Sequence, residues 1–349
     1  MDFYQNNIYS DDLKTALHNS IGLEHLKNQS VLLTGATGLI GSFIVEMLLK
    51  YNEMEDSNIT IYAVSRNMNR LKERFDSCKT QNLIYIEQDM NVEFYFDFSV
   101  DYIIHAASNA YPAAFANDPV GTILSNIMGG YYLLGYGKSK SVKRILYISS
   151  GEVYGLGDEN IQAYSEDYSG YVDPVQVRSC YPTAKRTTEN LFISYGVQYN
   201  LDTVIVRPCH TYGANVTKQD NRANAQFITN AVRGEDIVLK SAGLQYRSYC
   251  YIADCASAIM TVLLQGEKWE AYNIANENSR ATIADFAKKA AFLTGKNVVF
   301  DIPDEPDKKQ QTFIDRQVLD NNKLKQLGWN GRYDLEDGIR HTIDILADA

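Results

Sequence analysis

Short apolar runs alternate with helical patterns through the N-terminal part of the chain. The apolar runs cover residues 30–34, 59–64, 83–86, 100–104, 144–148 and 203–208, and the helical patterns include 42–51 and 120–138. Such alternation predicts an α/β fold with a doubly wound parallel sheet, whose ligands bind outside the carboxyl ends of the strands. After residue 208 the pattern becomes irregular, which predicts a smaller C-terminal lobe that closes over the cleft.

A glycine-rich turn follows the first apolar run. Gly35, Gly38 and Gly41 recur at three-residue spacing between a strand pattern and a helix pattern. Glycines at these places permit a tight turn, let backbone N–H groups approach a pyrophosphate, and let the helix pack close to the strand. Because the flanking strand and helix are the context that this motif needs, we predict a dinucleotide site in a Rossmann-type domain.

The pattern divides the chain into three regions. Residues 29–205 are expected to form the NAD(P)-binding Rossmann domain, and residues 206–349 mainly the substrate-binding lobe, with some segments returning to the Rossmann core. Residues 1–28 precede the first strand and contain a short amphipathic helix at 11–17. We interpret them as a helical appendage that packs on the core or helps to pair subunits and has no chemical role.

The second strand ends in Ser65, Arg66 and Asn67, without the acidic residue that dinucleotide folds preferring NAD usually carry there. Arg66 is placed to pair with a ribose 2′-phosphate, or it is a solvated arginine that starts the next helix. NADP(H) is therefore favoured, and NAD(H) is not excluded. The predicted cofactor contacts are Gly35, Thr37, Gly38, Leu39, Ile40, Gly41, Ser65, Arg66, Asn67, Asp89, Met90, Ala106, Ala107, Tyr181, Lys185 and Pro208.

Tyr181 and Lys185 stand four residues apart at the start of a predicted helix, with Pro182 in its first turn. The two side chains therefore face the same way. An ammonium group beside a phenol stabilises the phenolate, so a phenol pKa of about 10 can fall towards the working pH and the group can exchange protons with an alcohol. The alternative is a surface helix with a lysine stem over an aromatic ring. Ser150 follows the fifth strand and belongs at the same sheet edge.

Composition and charge argue against several classes of protein. The 349 residues are 45% apolar and 22% charged, and the formal net charge of −10 is spread along the chain without a basic block. These features argue against binding to nucleic acid or to a membrane surface. No apolar run approaches the ~20 residues of a membrane span, and the N-terminus lacks the features of a signal peptide, so we expect a cytoplasmic location.

The five cysteines, Cys78, Cys180, Cys209, Cys250 and Cys255, are odd in number and lack C-x-x-C spacing. Free thiols are favoured over a disulfide framework or a zinc site. His105 has no partner ligand at suitable spacing, so a structural histidine at a strand end is the better interpretation. No metal site is predicted.

Several motifs together resemble the extended short-chain dehydrogenase/reductase family of nucleotide-sugar epimerases, dehydratases and decarboxylases. They are TGATGLIG at 34–41, HAA at 105–107, SSGEVYG at 149–155, Tyr181 with Lys185, RPCHTYG at 207–213, RSYCYIAD at 247–254 and NKLKQLGW at 322–329. The resemblance implies hydride transfer from a sugar carbon, normally C4, to a nicotinamide. Tyr181 would act as the base, Ser150 would share the hydrogen bond to the sugar oxygen, and Lys185 would also hold the nicotinamide ribose.

Glu152 is the residue that the resemblance ties to the outcome of the reaction. Sugar 4,6-dehydratases and UDP-glucuronate decarboxylases are similar to this chain in carrying Glu two places after the catalytic Ser or Thr. A carboxylate there can remove the C5 proton or assist decarboxylation, whereas the alternative is a glutamate bonded to backbone in a turn. Gly151 departs from the pattern, since dehydratases usually have Asp and decarboxylases Ser at that place.

The resemblance also suggests substrate contacts. By similarity to decarboxylases, Arg247 is the first choice and Arg222 the second choice for binding the nucleotide diphosphate, although Arg222 is nearly as well explained as a solvated arginine at a helix start. His210 stands where an asparagine usually contacts the substrate. The predicted substrate contacts are Ser108, Ser150, His210, Arg222, Gln226 and Arg247.

The expected enzyme is one that modifies a nucleotide sugar, of UDP, CDP or dTDP type, through a 4-keto intermediate. A function like that of UDP-glucuronate decarboxylase is the first choice, ahead of 4-epimerisation and then 4,6-dehydration or NADPH-dependent reduction of a keto-sugar. A dinucleotide-sensing regulatory protein without activity is the alternative from another class, and the presence of Ser150, Tyr181 and Lys185 counts against it. A homodimer is an expectation from the family.

Overall fold

Seven parallel strands form the central sheet of the computed structural model, which describes residues 3–78, 80–158, 160–217, 220–302 and 316–348. The strands of the described chain are β1 Ser30–Thr34, β2 Thr60–Ser65, β3 Leu83–Glu87, β4 Tyr102–His105, β5 Arg144–Ile148, β6 Thr203–Pro208, β7 His210–Tyr212, β8 Ile237–Leu239, β9 Tyr246–Tyr251, β10 Ala271–Ile274, β11 Arg280–Thr282, β12 Val298–Phe300 and β13 Arg316–Gln317. The helices are α1 Asn7–Asn19, α2 Leu39–Glu55, α3 Met68–Arg74, α4 Pro112–Asn117, α5 Pro119–Ser139, α6 Cys180–Tyr199, α7 Ala223–Val232, α8 Ile252–Gln265, α9 Ile283–Thr294, α10 Asn322–Gln326 and α11 Leu335–Ala347.

The strand order is β10-β6-β5-β4-β1-β2-β3, with every neighbouring pair parallel. The order reverses between β1 and β4, which makes a cleft at the carboxyl ends of these two strands. The prediction of a Rossmann-type doubly wound sheet is therefore confirmed. The strand β10 lies late in the chain and returns to the edge of this sheet.

Alternate residues of the strands enter two different cores. Val31 and Leu33 of β1 pack with α1, α2 and α8, whereas Leu32 packs with α5 and α6 on the other face. Because both faces are covered, β1 is apolar at successive positions, as buried parallel strands are. No helix in the described ranges combines the length and apolar content needed to cross a membrane.

The remaining strands belong to the smaller lobe. The strand β9 pairs with β7, β11 and β13, while β8 pairs with β12 alone. Helices α7, α9 and α11 pack together beside these strands. The lobe places His210, at the start of β7, and the N-terminus of α7 over the carboxyl edge of the central sheet.

Candidate active site

A cleft at the carboxyl edge of the central sheet brings together nearly all of the residues selected from the sequence. One part of it is lined by Gly35, Gly38, Leu39, Ile40, Gly41, Ala106, Ser108, Ser150, Glu152, Tyr181, Lys185, Pro208, His210 and Arg222. An adjoining part is lined by Thr37, Ser65, Arg66, Asp89, Met90 and Ala107, and it shares Gly35, Ser108 and Arg222 with the first. Asn67, Gln226 and Arg247 line neither part.

Tyr181 and Lys185, the predicted proton-transfer pair, lie in the first two turns of α6. Tyr181 is 4% exposed and Lys185 is 2% exposed. The Lys185 ammonium donates to the Ile148 carbonyl at 2.8 Å and lies 5.7 Å from the centre of the Tyr181 ring. The end of β5 therefore holds the lysine beside the phenol. The Ser150 hydroxyl, which follows β5, hydrogen-bonds the same phenol.

Burial controls the acidity of both groups. It raises the pKa of the Tyr181 phenol above its usual value, and the negative charge of Glu152 raises that pKa further. The hydrogen bond with Ser150 opposes this rise. Burial also lowers the pKa of the Lys185 ammonium to about 7. The expected lowering of the phenol pKa is thus absent as a net shift, because desolvation of the phenol outweighs the charges around it.

Glu152 is held by an arginine that the sequence reasoning did not select as a ligand. Arg178 donates from Nη2 to Oε1 of Glu152 at 2.9 Å. The guanidinium lies 4.8 Å from the centre of the Phe115 ring, and that ring stacks on Tyr181 at 4.4 Å with an interplanar angle of 20°. The Glu152 backbone N–H donates to Ser150 Oγ at 3.1 Å, so all of these groups form one connected cluster.

The glycine turn has the shape needed for a phosphate ligand. Gly35 has φ of +69°, and a Cβ there would lie 2.8 Å from the Ala106 backbone, while a Cβ on Gly41 would lie 2.3 Å from the Gly35 carbonyl oxygen. Gly38 precedes α2 and no side chain caps that helix. The backbone N–H groups in the first turn of α2 are therefore available to a diphosphate. The buried Ser108 Oγ in the same cleft has no hydrogen-bond partner among the described residues, so the cleft fits a dinucleotide.

The end of β2 presents two arginines to the adjoining part of the cleft. Arg66 and Arg70 both line it, and both are exposed. Arg70 was not selected from the sequence, although its spacing of four residues from Arg66 was a usable signal. Asn67 instead accepts the Arg70 backbone N–H at 3.0 Å and caps α3, which explains why it does not line the cleft.

The predicted substrate residues divide into two groups. Arg222 lines both parts of the cleft and pairs with Asp220 at 2.5 Å. Arg247 is 5% exposed and donates from Nη1 to His210 Nε2 at 3.1 Å and to Gln317 Oε1 at 3.0 Å. Burial, together with the charge of Arg247, lowers the pKa of His210, so the imidazole is neutral. Arg247 therefore lies behind His210 and Gln317, which themselves line the cleft.

His105 lies below the cleft, at the end of β4. Its Nδ1 is 2.7 Å from Thr34 Oγ1, and burial, then the charge of Lys185, lowers its pKa to about 3. It is thus a neutral side chain inside the fold. In the described parts of the chain, no group of three or more His, Cys, Asp or Glu side chains is arranged to hold a metal ion.

Known proteins are similar to the sequence that carries this arrangement of residues. The profile of the NAD dependent epimerase/dehydratase family matches residues 31–275. The chain is 31% identical to UDP-glucuronic acid decarboxylase 6 of Arabidopsis thaliana over 317 residues, which are 89% of this chain and 87% of the relative. It is 28% identical to UDP-glucuronic acid decarboxylase 1 of Danio rerio, over 93% of this chain and 74% of that one.

Solved structures share the fold. A UDP-glucuronic acid 4-epimerase from Bacillus cereus superposes with a TM-score of 0.76 at 21% identity, over 91% of this chain and 99% of the other. The epimerase Mth375 from Methanothermobacter thermautotrophicus superposes with a TM-score of 0.78 at 17% identity, over 99% and 96%. The family profile covers well over half of the chain, and the glycine turn, Ser150, Tyr181 and Lys185 lie on one cleft. The chain therefore belongs to the NAD dependent epimerase/dehydratase family.

Proposed function

We propose that the protein converts a nucleotide sugar through a 4-keto intermediate, and that its substrate is a UDP-uronic acid which it decarboxylates. The observation that carries the proposal is the cluster in which Ser150, Tyr181 and Lys185 share a cleft with Glu152. Support also comes from relatives about 30% identical that are named UDP-glucuronic acid decarboxylases.

The residues divide the proton chemistry between two sugar carbons. The glycine turn and Lys185 would hold a nicotinamide dinucleotide, which would serve as hydride acceptor and later as hydride donor. Tyr181 would take the proton of the C4 hydroxyl while Ser150 hydrogen-bonds the same oxygen, and the C4 hydride would pass to the dinucleotide, so that C4 becomes a ketone. A carboxyl group on C5 is then β to that ketone, so the C5–carboxyl bond breaks with release of CO2 and its electron pair passes to the C4 oxygen. The enolate that remains has to gain a proton at C5, and Glu152, which lines the cleft, would relay that proton from water.

Gly151 makes dehydration the weaker alternative. The residue has no side chain to protonate a leaving hydroxyl, and Leu319 occupies the space beside it. A Cβ on Gly151 would lie 3.2 Å from Leu319 Cδ1 and 3.4 Å from the Pro208 carbonyl oxygen. A serine or aspartate there would require a small shift of the leucine side chain.

We further propose that the dinucleotide site accepts NADP(H). Arg66 and Arg70 line the cleft beside Ser65, and neither guanidinium takes part in the ion pairs found among the described residues. A guanidinium pair suits a 2′-phosphate, whose charge would otherwise be poorly compensated here. The same observation favours a second candidate function, net reduction of a keto-sugar by exchangeable NADPH.

We also propose that the protein is a homodimer. Helices α5 and α6 pack on one another, and each exposes large apolar side chains: Val120, Leu124 and Tyr131 on α5 and Val197 on α6. The three α5 residues are spaced to share one face of that helix. An apolar helix face of this kind is suited to pairing with the same face of a second copy.

Nuclear magnetic resonance of UDP-glucuronate incubated with the protein tests the principal function. We expect signals of UDP-xylose or of its 4-keto precursor, with release of CO2. Unchanged UDP-glucuronate in the presence of bound dinucleotide would remove decarboxylation. Native mass spectrometry separates the two candidates, since the redox-neutral enzyme retains its dinucleotide during purification, whereas the reductase consumes one NADPH for each keto-sugar.

A further inference from the structure

The N-terminal segment reaches the part of the cleft that is lined by Thr37, Ser65 and Arg66. Phe3 lines that part although it is only 3% exposed. Its ring lies 5.7 Å from the ring of Tyr9 and 5.7 Å from the Arg74 guanidinium carbon. Phe3 is therefore a packed aromatic wall of the cleft rather than a loose chain end.

A buried charge pair fixes the position of Tyr9 behind this wall. Arg74 donates to both oxygens of Glu46, at 2.6 Å and 2.7 Å, and the Tyr9 hydroxyl donates to Glu46 as well. Glu46 and Tyr9 are fully buried. Because such a pair is costly to separate inside a protein, α1, α2 and α3 are held together at this point.

Asn215 connects the same network to the loop after β7. Its Nδ2 donates to Tyr9 Oη at 2.7 Å and to Ser42 Oγ at 2.8 Å. Since the Tyr9 hydroxyl gives its proton to Glu46, it must accept from Asn215, and this fixes the orientation of the amide.

The Oδ1 atom is the other polar atom of the Asn215 side chain. It has no hydrogen-bond partner among the described residues, although Asn215 is only 6% exposed. The residue lines the same part of the cleft as Phe3. A buried acceptor without a donor is unfavourable, so this atom points to a ligand that brings a hydrogen-bond donor, such as a ribose hydroxyl.

We propose that the N-terminal segment is a working part of the dinucleotide site. Phe3 packs against the adenosine diphosphate half of the ligand, and Asn215 Oδ1 accepts a hydrogen bond from one of its ribose hydroxyls. The proposal rests on the dinucleotide binding of the proposed function and is independent of the sugar substrate. It assigns a ligand-binding role to residues that precede the first strand of the sheet.

The N-terminal segment also contacts the smaller lobe. Asp12 of α1 is fully buried and accepts from the hydroxyls of Tyr251 and Tyr333, at 2.5 Å and 2.7 Å. These tyrosines belong to the smaller lobe and to the segment before α11. The position of Phe3 therefore depends on contacts with both parts of the protein.

Isothermal titration calorimetry with ADP-ribose tests the proposal on the full chain, after removal of copurified dinucleotide. ADP-ribose carries the half of the dinucleotide concerned and lacks the nicotinamide. We expect Phe3→Ala and Asn215→Ala each to weaken ADP-ribose binding by about tenfold, the loss expected for one buried aromatic or polar contact. Phe292→Ala, at an exposed phenylalanine of α9, is the matched control and should leave the affinity unchanged.

Wild-type affinity for ADP-ribose in both variants would overturn the proposal. Circular dichroism and thermal unfolding report whether each variant is folded. If Phe3→Ala does not fold, Phe3→Leu decides the question, because leucine keeps apolar volume but lacks the aromatic face. Since no turnover is measured, failure to decarboxylate UDP-glucuronate has no bearing on the result.

Discussion

Arg178 Nη2 donates to Glu152 Oε1 at 2.9 Å, which places an ion pair beside the phenol of Tyr181. The phenol responds to the two partners in opposite directions. Glu152 raises the pKa of Tyr181 and Arg178 lowers it, while burial remains the largest cause of its rise. The pair therefore controls how readily Tyr181 accepts a proton, in addition to any role of Glu152 at sugar C5.

Removing either partner should move the pH dependence of C4 oxidation, in opposite directions. In the proposed mechanism Tyr181 is the base for this oxidation, so the rate should rise with the phenolate fraction as pH approaches the pKa of Tyr181. Glu152→Gln lowers that pKa and moves the rise to lower pH, whereas Arg178→Gln moves it to higher pH. Because burial holds that pKa above its usual value of about 10, the rate stays below its plateau from about pH 6 to about pH 9. Stopped-flow absorbance of reduced nicotinamide in this range should therefore show faster oxidation by Glu152→Gln and slower oxidation by Arg178→Gln at each pH.

The control for this pair is an ion pair of similar length on the surface. Arg340 donates to Glu336 at 2.8 Å on α11, away from the cleft. Arg340→Gln should leave the pH profile unchanged. Shifts of the same sign in Glu152→Gln and Arg178→Gln would contradict the assignment of opposite effects.

Tyr181→Phe should lower turnover by about a hundredfold to about ten-thousandfold, the usual contribution of a positioned general base. The fold should persist because the phenylalanine ring can keep the stacking on Phe115. Binding of ADP-ribose should stay within about twofold of wild type, since only the proton acceptor is removed. Tyr171→Phe, at an exposed tyrosine, is the control. A Tyr181→Phe variant with ordinary turnover would show that another group is the base.

The dyad and the sheet could be predicted because their signals are local. Tyr181 and Lys185 lie on adjacent turns of one helix, and β1 and the glycine turn are continuous in sequence. The Arg178–Glu152 pair joins two short turns 26 residues apart, and their approach depends on how α6 packs against the end of β5. No periodic pattern in the sequence indicates such a contact.

Dependence on tertiary packing also explains why the positions of the substrate residues could not be predicted from the sequence. Resemblance predicts Arg247 as a substrate contact, yet the register of β9 with β7 and β13 places it behind His210 and Gln317. Its role as a diphosphate ligand remains a prediction. Phe3 lies in a different region of the sequence from the glycine turn, and only the packing of α1 on α2 brings it to the cleft.

Arg66→Ala should weaken NADP binding by about tenfold and leave NAD binding unchanged, because only NADP carries the 2′-phosphate that a charge-assisted hydrogen bond would hold. Arg70→Ala should act in the same direction. Arg233→Ala, at an exposed arginine after α7, serves as the control. Fluorescence titration with both dinucleotides provides the measurement. A wild-type protein that binds NAD more tightly than NADP would remove the proposed preference.

Leu124→Asp should convert the proposed dimer into a monomer, because a carboxylate on the apolar face of α5 would be buried without a partner. Size-exclusion chromatography with light scattering measures the mass directly. Leu244→Asp is a matched control, since Leu244 is also an exposed leucine but lies outside α5 and α6. A wild-type monomer, or dissociation by both substitutions, would contradict the proposed face.

His341 should contribute stability that depends on pH. Its Nδ1 lies 2.8 Å from Asp12 Oδ1, and this hydrogen bond raises the pKa of the imidazole above its usual value of about 6.5, while Asp337 and Asp344 act in the same direction. A raised pKa in the folded state means that the contribution is fully present below about pH 6.5 and is lost as pH rises through the folded pKa.

The free energy of unfolding should therefore differ most between wild type and His341→Gln at acidic pH. Urea denaturation at about pH 5.5 should show a difference of about 1 kcal/mol or less, because the imidazole is partly exposed and its charge is screened. The difference should shrink at about pH 9, where the wild-type imidazole is as neutral as the glutamine that replaces it. His25→Gln, at an exposed histidine 3.8 Å from Glu24, is the control. A difference that does not vary with pH would mean that the ion pair with Asp12 does not stabilise the attachment of α1.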